Sequence, residues 1–566
     1  MTLKAFDSWN KSDFFNLLLA LPVGIIAALV TVLFREAISA VNGVMFQNGT
    51  DITRAFLEYP RWIWPLITGC GGLVAGALLW QARRVEARQG SAPDYLEVID
   101  RRLPGIPVQG TLWRGLSSLA SIASGGSIGR EGAMVQLSAL SGSLLAQGAR
   151  LPTVRRGDVI AMAAAGGLAA VYHAPLAGAL FVAEIAFGVT AVQRLIPLFI
   201  AAAVSVLTVR SLTGDAPLYF YAAATFEPGA GALLTVLLIG VAAGVAGPLF
   251  LSIIELARRA FSPIAHPVWR LGLGGVLVGG VAMVSPLVLG NGFEVIDRLL
   301  NGGDLPTPLL ALLLLKVLAT ALTVGSGAVG GLFTPSLLVG AAAGALVCAS
   351  LHALGIDPGP MGLYAAIGMS AMLAATSHAP LMSIMMAFEM TLNSSLLFPL
   401  MLATAISYVV ASCFATAGAY PVLNRHNARF QAKSEFETGT IGPLMNRECS
   451  FVVESATAAE AMREGLKQKT RFVYVISGEG RFLGVVSTSD LATGIMEGSL
   501  AAEAAITPFI IKEFTTVYQD ARYEQAWALL SDSPLERLPV LDNAENRHLL
   551  GVITKASLLH KAQEFL

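Results

Sequence analysis

His173-Ala-Pro175-Leu176 returns about 200 residues later as His378-Ala-Pro380-Leu381. Each copy follows a run of small residues, Ala163–Ala170 and Ala366–Ala375, and each is followed eleven residues on by a carboxylate, Glu184 and Glu389. Roughly 45–50 residues upstream of each lies a glycine-rich break, Gly126–Gly132 and Gly325–Gly331. Four matched features in one order mark a duplicated unit. Duplicated membrane units usually hold their substrate between the halves near the bilayer midplane. The sequence leaves open whether the halves are inverted.

The surroundings identify the medium. The chain has 566 residues, 55% of them hydrophobic and only 13% charged. Of the 75 Asp, Glu, Lys and Arg, 31 fall in the last 136 residues and 44 in the first 430, so a membrane part precedes a soluble one. Phe14–Phe34, Trp62–Ala82 and Leu271–Phe293 carry no charge, and between Val317 and Asn424 the only charged residues are Asp357 and Glu389. A span needs roughly 20 apolar residues. Gly and Pro cut the later stretch into pieces, and broken helices at membrane depth line protein-buried or watery cavities. That pattern suits a transporter or channel better than an anchor.

Residues 1–13 are expected to form a cytoplasmic N-terminal segment, with the first span following directly and no secretory leader. Five arginines between Arg83 and Arg102 follow the second span and place that loop, and hence the N-terminus, inside. Cys70, Cys348, Cys413 and Cys449 are scattered and make no metal or disulfide pattern. The two histidines are expected to cap or pack at a helix start rather than bind metal. For Glu184 and Glu389, a hydrogen bond to a nearby backbone break and a role in transport are both open. A net charge of −1 gives no argument for nucleic acid.

In the first glycine break, Gly125-Gly-Ser-Ile-Gly-Arg-Glu-Gly132, a charged pair sits in apolar surroundings. Buried charge costs several kcal/mol unless it is paired or has a task. Glycines there let backbone N–H groups approach a ligand closely. The pattern predicts an ion path with Glu131 at its narrowest point.

From Ile441 the pattern becomes alternating strands and amphipathic helices. Phe472–Ile476, Phe482–Ser487 and a helix at Thr488 are repeated as Arg537–Leu541, Leu549–Thr554 and a helix at Lys555. These two units resemble tandem CBS domains, which pair into one module and often bind adenine nucleotides. The resemblance gives Ser487 and Asp490 as ribose-holding residues. Thr554-x-x-Ser557 lacks the acid, so at most one full nucleotide site is expected, with a purely structural module as the alternative.

The membrane part resembles the CLC chloride channels and proton-coupled chloride antiporters. Gly129-Arg-Glu-Gly132 is similar to their gating-glutamate motif, and Gly330-Gly-Leu-Phe-Thr-Pro335 to their second anion-binding loop. Gly90-Ser-Ala-Pro93 is similar to the first loop with one residue missing. The resemblance implies Glu131 as the gate, and anion binding by Ser91, Gly129, Arg130, Gly331, Leu332, Phe333 and Tyr420. Physically, helix N-termini carry unpaired N–H groups and hold anions without a full cation. The family's inner tyrosine aligns with Leu423, leaving Tyr420 and Leu423 both open for that position. Where coupled members often carry an inward-facing glutamate, this chain has Ile185.

The expected fold is therefore an all-α polytopic membrane domain over 14–425, built from two repeats with broken helices (about 14–213 and 228–425). A linker (426–440) and a small α/β tandem CBS module (441–497 and 504–562) follow. The resemblance implies a non-enzymatic homodimer in the cell inner membrane, with cytoplasmic CBS domains, carrying chloride and protons. Its cofactor expectation is none, apart from an adenine nucleotide (ATP, ADP or AMP) at the CBS pair. Proton–chloride exchange is favoured, with a passive anion channel and a CBS-regulated cation transporter as rivals. Fluoride and nitrate stay open as native anions.

Overall fold

A computed structural model gives the architecture. It describes residues 11–46, 52–89, 93–188, 192–214, 225–303, 305, 307–414, 418–420, 436, 438–531 and 535–563. The chain divides into two compact units, Met1–Asn424 and Arg425–Leu566.

Among the described residues of the first unit, seven helices are long and apolar enough to cross a membrane. They include Leu17–Met45, Arg61–Arg88, Ala230–Phe261 and Phe333–Ala353, and shorter apolar helices such as Leu309–Gly325 and Met361–Ser377 lie between them. The uncharged run Leu271–Phe293 lies in a membrane-capable helix only as far as Val284. Its helix, Pro267–Val284, stops because Ser285 precedes a proline and turns extended (φ −144°, ψ 114°).

The repeat is visible in the backbone. Thr153–Tyr172 and Met361–Ser377 end on His173 and His378, both left-handed at φ 56° and ψ 29°. Histidine is among the non-glycine residues enriched in that conformation. The next helices start on Pro175 and Pro380, where proline's missing N–H costs nothing. The histidines thus close the preceding helix rather than cap the following one.

Contacts between the halves are reciprocal. The Gly129 N–H donates to the Gly331 carbonyl and the Gly331 N–H to the Gly129 carbonyl, both at 2.9 Å in an antiparallel bridge. Glu184 accepts from the backbone N–H of Leu381 (3.0 Å) and Met382 (2.7 Å). Glu389 accepts from Leu176 (3.0 Å) and Ala177 (2.8 Å). Equivalent residues exchanging equivalent bonds are the mark of a twofold relation. The local structure around Glu184 is a π-turn, Ala183–Phe187, a feature that re-aims side chains within a helix. Small residues let the helices close up: a Cβ on Gly368 would overlap the Gly340 carbonyl, so Phe333–Ala353 and Met361–Ser377 cross backbone to backbone.

The second unit holds two three-stranded sheets of one design. Phe451–Val453 runs parallel to Phe472–Ile476, which pairs antiparallel with Phe482–Ser487. Val517–Tyr518, Arg537–Leu541 and Leu549–Thr554 repeat the order, with a register irregularity at the same place, Val475/Ile476 and Val540/Leu541. The copies exchange their leading segments. Ile441 is buried in the core of the second copy with Leu538 and Val540, while Ile506 is buried with Val475 and Val486 of the first. Sequence units and packing units therefore differ at their edges.

Candidate functional site

Helix Val108–Ala123 ends at Ser124, Gly125 turns the chain at φ +94°, and Glu131–Gly148 begins six residues on. Its counterpart ends at Gly325, turns at Gly327 with the same φ of +94°, and begins again at Phe333. That conformation is open to glycine and poor for other residues. The glycine bridge between Gly129 and Gly331 therefore sets two helix N-termini side by side, two positive dipole ends in an apolar interior.

Glu131 is 2% exposed and reaches across to the other helix start. One carboxylate oxygen accepts from the Thr334 N–H (3.2 Å), the other from the Thr334 hydroxyl (3.2 Å). The same hydroxyl meets the Tyr172 hydroxyl at 2.9 Å. An anionic group thus occupies the seat that an N-terminal helix turn offers to a free anion. A Cβ on Gly129 or Gly331 would overlap the Glu131 carboxylate, so both positions must be bare for the carboxylate to lie there.

Phe333 opens its helix with Leu332 as N-cap, and its ring packs with Phe181 (centroids 5.3 Å apart), Tyr420 (6.0 Å) and Tyr172 (6.3 Å). Tyr420 therefore sits in the aromatic cluster beside the anion seat; Leu423 lies outside the described residues. Ser91 also lies outside the described residues. The Arg130 side chain lines a small separate cavity of about 30 Å³ with Thr31, Arg35 and His173. Gly129, Glu131, Gly331, Leu332, Phe333 and Tyr420 are thus brought together.

Thr334 and Tyr172 were not singled out from the sequence. Thr334 stood inside the Gly330–Pro335 motif, while nothing near Tyr172 in the chain points to it. The loop is braced from behind, where Ser127 donates its N–H to the Thr323 hydroxyl (3.1 Å) and its hydroxyl meets that of Thr320 (3.1 Å).

In the second unit, the Ser487 hydroxyl accepts from the Asp490 N–H (3.3 Å) and caps helix Thr488–Met496. Thr554 does the same for Ser557 (3.0 Å). The two copies share the cap and differ in the acid, since only the first carries an exposed carboxylate, Asp490.

Residues 71–412 match the family model for voltage gated chloride channels, and residues 441–497 and 506–564 match the CBS domain. A ClcB-like protein of Ralstonia nicotianae is 41% identical over 405 residues, spanning 70% of this chain and 94% of that one. The voltage-gated ClC-type chloride channel ClcB of Citrobacter koseri is 36% identical over 403 residues, spanning 70% and 96%. Among solved structures, a slow cyanobacterial Cl⁻/H⁺ antiporter has a TM-score of 0.64 at 22% identity, covering 73% of this chain and 97% of that one. A eukaryotic CLC transporter has a TM-score of 0.58 at 18% identity, covering 96% and 97%. These two structures bear on the fold alone. On the strength of the sequence matches and of the paired helix starts they fall on, the chain belongs to the CLC family of voltage gated chloride channels, as a multi-pass membrane protein with a pair of CBS domains.

Proposed function

We propose that the protein exchanges chloride for protons across the membrane, with Glu131 as the gate. The observation that carries this is the Glu131 carboxylate seated on the Thr334 N–H and hydroxyl. A carboxylate there competes with chloride for the same donors. Protonation removes its charge, weakens its hold, and opens the seat to an anion. Weak, multi-point binding by N–H groups and hydroxyls then allows release. Phe333 and Tyr420 would flank the path on its aromatic side, with Gly129, Gly331 and Leu332 supplying backbone and Arg130 adding positive potential. Ser91 would contribute a hydroxyl from the first loop. Each subunit of a homodimer would carry its own path, in the inner membrane with the CBS pair in the cytoplasm. A cation transporter is the weaker reading, because the site joins two positive helix ends. Proteoliposomes loaded with potassium chloride test the anion reading: chloride release that follows the anion and ignores replacement of potassium supports it, and release that requires a particular cation contradicts it.

A gate displaced by sterics should behave as if permanently open. Gly129→Ala puts a methyl group in the volume of the Glu131 carboxylate, the mobile end of a side chain, so the fold should survive. Chloride release is expected to become faster and to lose most of its pH dependence. Wild-type rate and pH dependence in this variant would contradict the seat.

For the tail, we propose adenine-nucleotide binding at Ser487 and Asp490. Binding only the folded state at 100 times the dissociation constant adds about 2.7 kcal/mol. ATP, ADP or AMP at millimolar concentration should raise the melting temperature, and Asp490→Ala should reduce the rise. No shift with any of the three would favour a structural module.

A further inference from the structure

A groove of about 620 Å³ lies between Leu17–Met45, Trp64–Gln89 and Val108–Ala123. The first two belong to helices long and apolar enough to span. Met45, Leu66, Val74 and Leu116 line it with 40–56% of their surface exposed, so it opens outward from the helices rather than into the core. The polar side chains along it are Cys70 and Ser124, and the Ser124 hydroxyl already donates to the Ala120 carbonyl (2.8 Å). A resident water needs about two to four polar partners, which this lining does not supply. The volume falls in the range of small-molecule pockets, roughly 300–1,000 Å³.

Shape and ends narrow the occupant. From Leu66 to Leu78 the groove follows twelve residues of one helix, about 18 Å at 1.5 Å per residue. That is over half of the ~30 Å hydrocarbon core. One turn beyond Leu66 stand Arg61 and Trp62, both exposed. An aromatic ring and a cation are the pair that marks the headgroup level. Arg61 also complements a phosphate charge.

We propose that this groove holds one acyl chain of a membrane phospholipid, with its phosphate headgroup beside Arg61 and Trp62. The site does not depend on the transport reading. It does touch the transport loop: a Cβ on Gly71 would overlap Ser124, so the groove's floor rests on the residue before Gly125.

The test is native mass spectrometry of full-length protein washed in detergent. Wild type should retain about one phospholipid per chain, and Val74→Trp, which fills the groove, should retain about tenfold less, the effect of roughly two displaced methylenes. Arg61→Gln should also retain less. Leu249→Trp, at an exposed position on Ala230–Phe261 outside the groove, should retain as much as wild type. As a second readout on wild type in vesicles, Cys70 should resist a charged water-soluble maleimide, and this decides alone if Val74→Trp does not fold. Equal retention in all four proteins, or ready labelling of Cys70 by the charged reagent, would overturn the proposal. So would a Val74→Trp protein that loses a cross-linkable dimer, because the groove would then be covered by a second copy.

Discussion

Glu131→Gln is expected to end proton coupling and leave chloride flux intact or faster. Glutamine has the shape of the protonated acid and cannot ionise. The geometry adds a second effect. Both carboxylate oxygens accept from Thr334, and an amide can keep its oxygen on the N–H and turn its NH2 to the hydroxyl oxygen, but both bonds then lose their charge assistance. Hydrogen bonds to a charged group contribute about 1.5–3 kcal/mol each, so the side chain's hold on the seat should fall by roughly 10–100-fold. Parallel measurement of chloride efflux and proton uptake in proteoliposomes checks this. Proton uptake at background with chloride efflux at or above wild type is the expected result. Uphill proton movement in the variant would mean that Glu131 is not the coupling group.

The second large effect is on folding. Glu184 and Glu389 each cap the first turn of the opposite repeat's helix with both carboxylate oxygens. Removing either one leaves two N–H groups without these acceptors, at about 1–3 kcal/mol each where water cannot replace them. Glu184→Ala and Glu389→Ala should therefore each destabilise by about 2–6 kcal/mol. Glu184→Gln keeps one acceptor and should cost less. The number of protons moved per chloride should stay at the wild-type value in every variant that folds. Thermal unfolding and coupled flux measured on the same preparations separate the two effects. A well-folded Glu184→Gln protein with a selective loss of proton flux would make Glu184 the internal relay. Ile185, the residue after Glu184, is fully buried and packed in the apolar core.

The duplication was legible because it is written in short-range chemistry. A left-handed histidine, a proline start and a carboxylate eleven residues on leave the same letters in both halves. Their pairing was not legible. That Glu184 caps the start at Leu381 and Met382, rather than its own repeat, depends on which surfaces meet, and distance along the chain carries no trace of it. Glu131 could be marked from a charge among glycines, but its partner Thr334 and that residue's link to Tyr172 arise only when two helix starts are bridged. Lys316 shows the same limit from the other side. It borders the uncharged stretch in sequence, yet it is fully buried, donating to the carbonyls of Val288 (3.0 Å) and Gly290 (2.8 Å). A lysine amine donating to two carbonyls has no sequence signature, because any residue can supply a carbonyl. In the tail, strand patterns located both copies, while the exchange of their leading segments rests on long-range pairs such as Asn446 with Val552.

Coupling is the central claim, and the reversal potential tests it most directly. Purified protein in liposomes is given a chloride gradient and an opposed proton gradient, and the voltage of zero net current is recorded. Exchange through a protonatable Glu131 predicts a reversal potential that moves when the proton gradient alone is changed. A potential fixed by chloride alone, at every proton gradient, would contradict exchange and make the protein a passive anion channel.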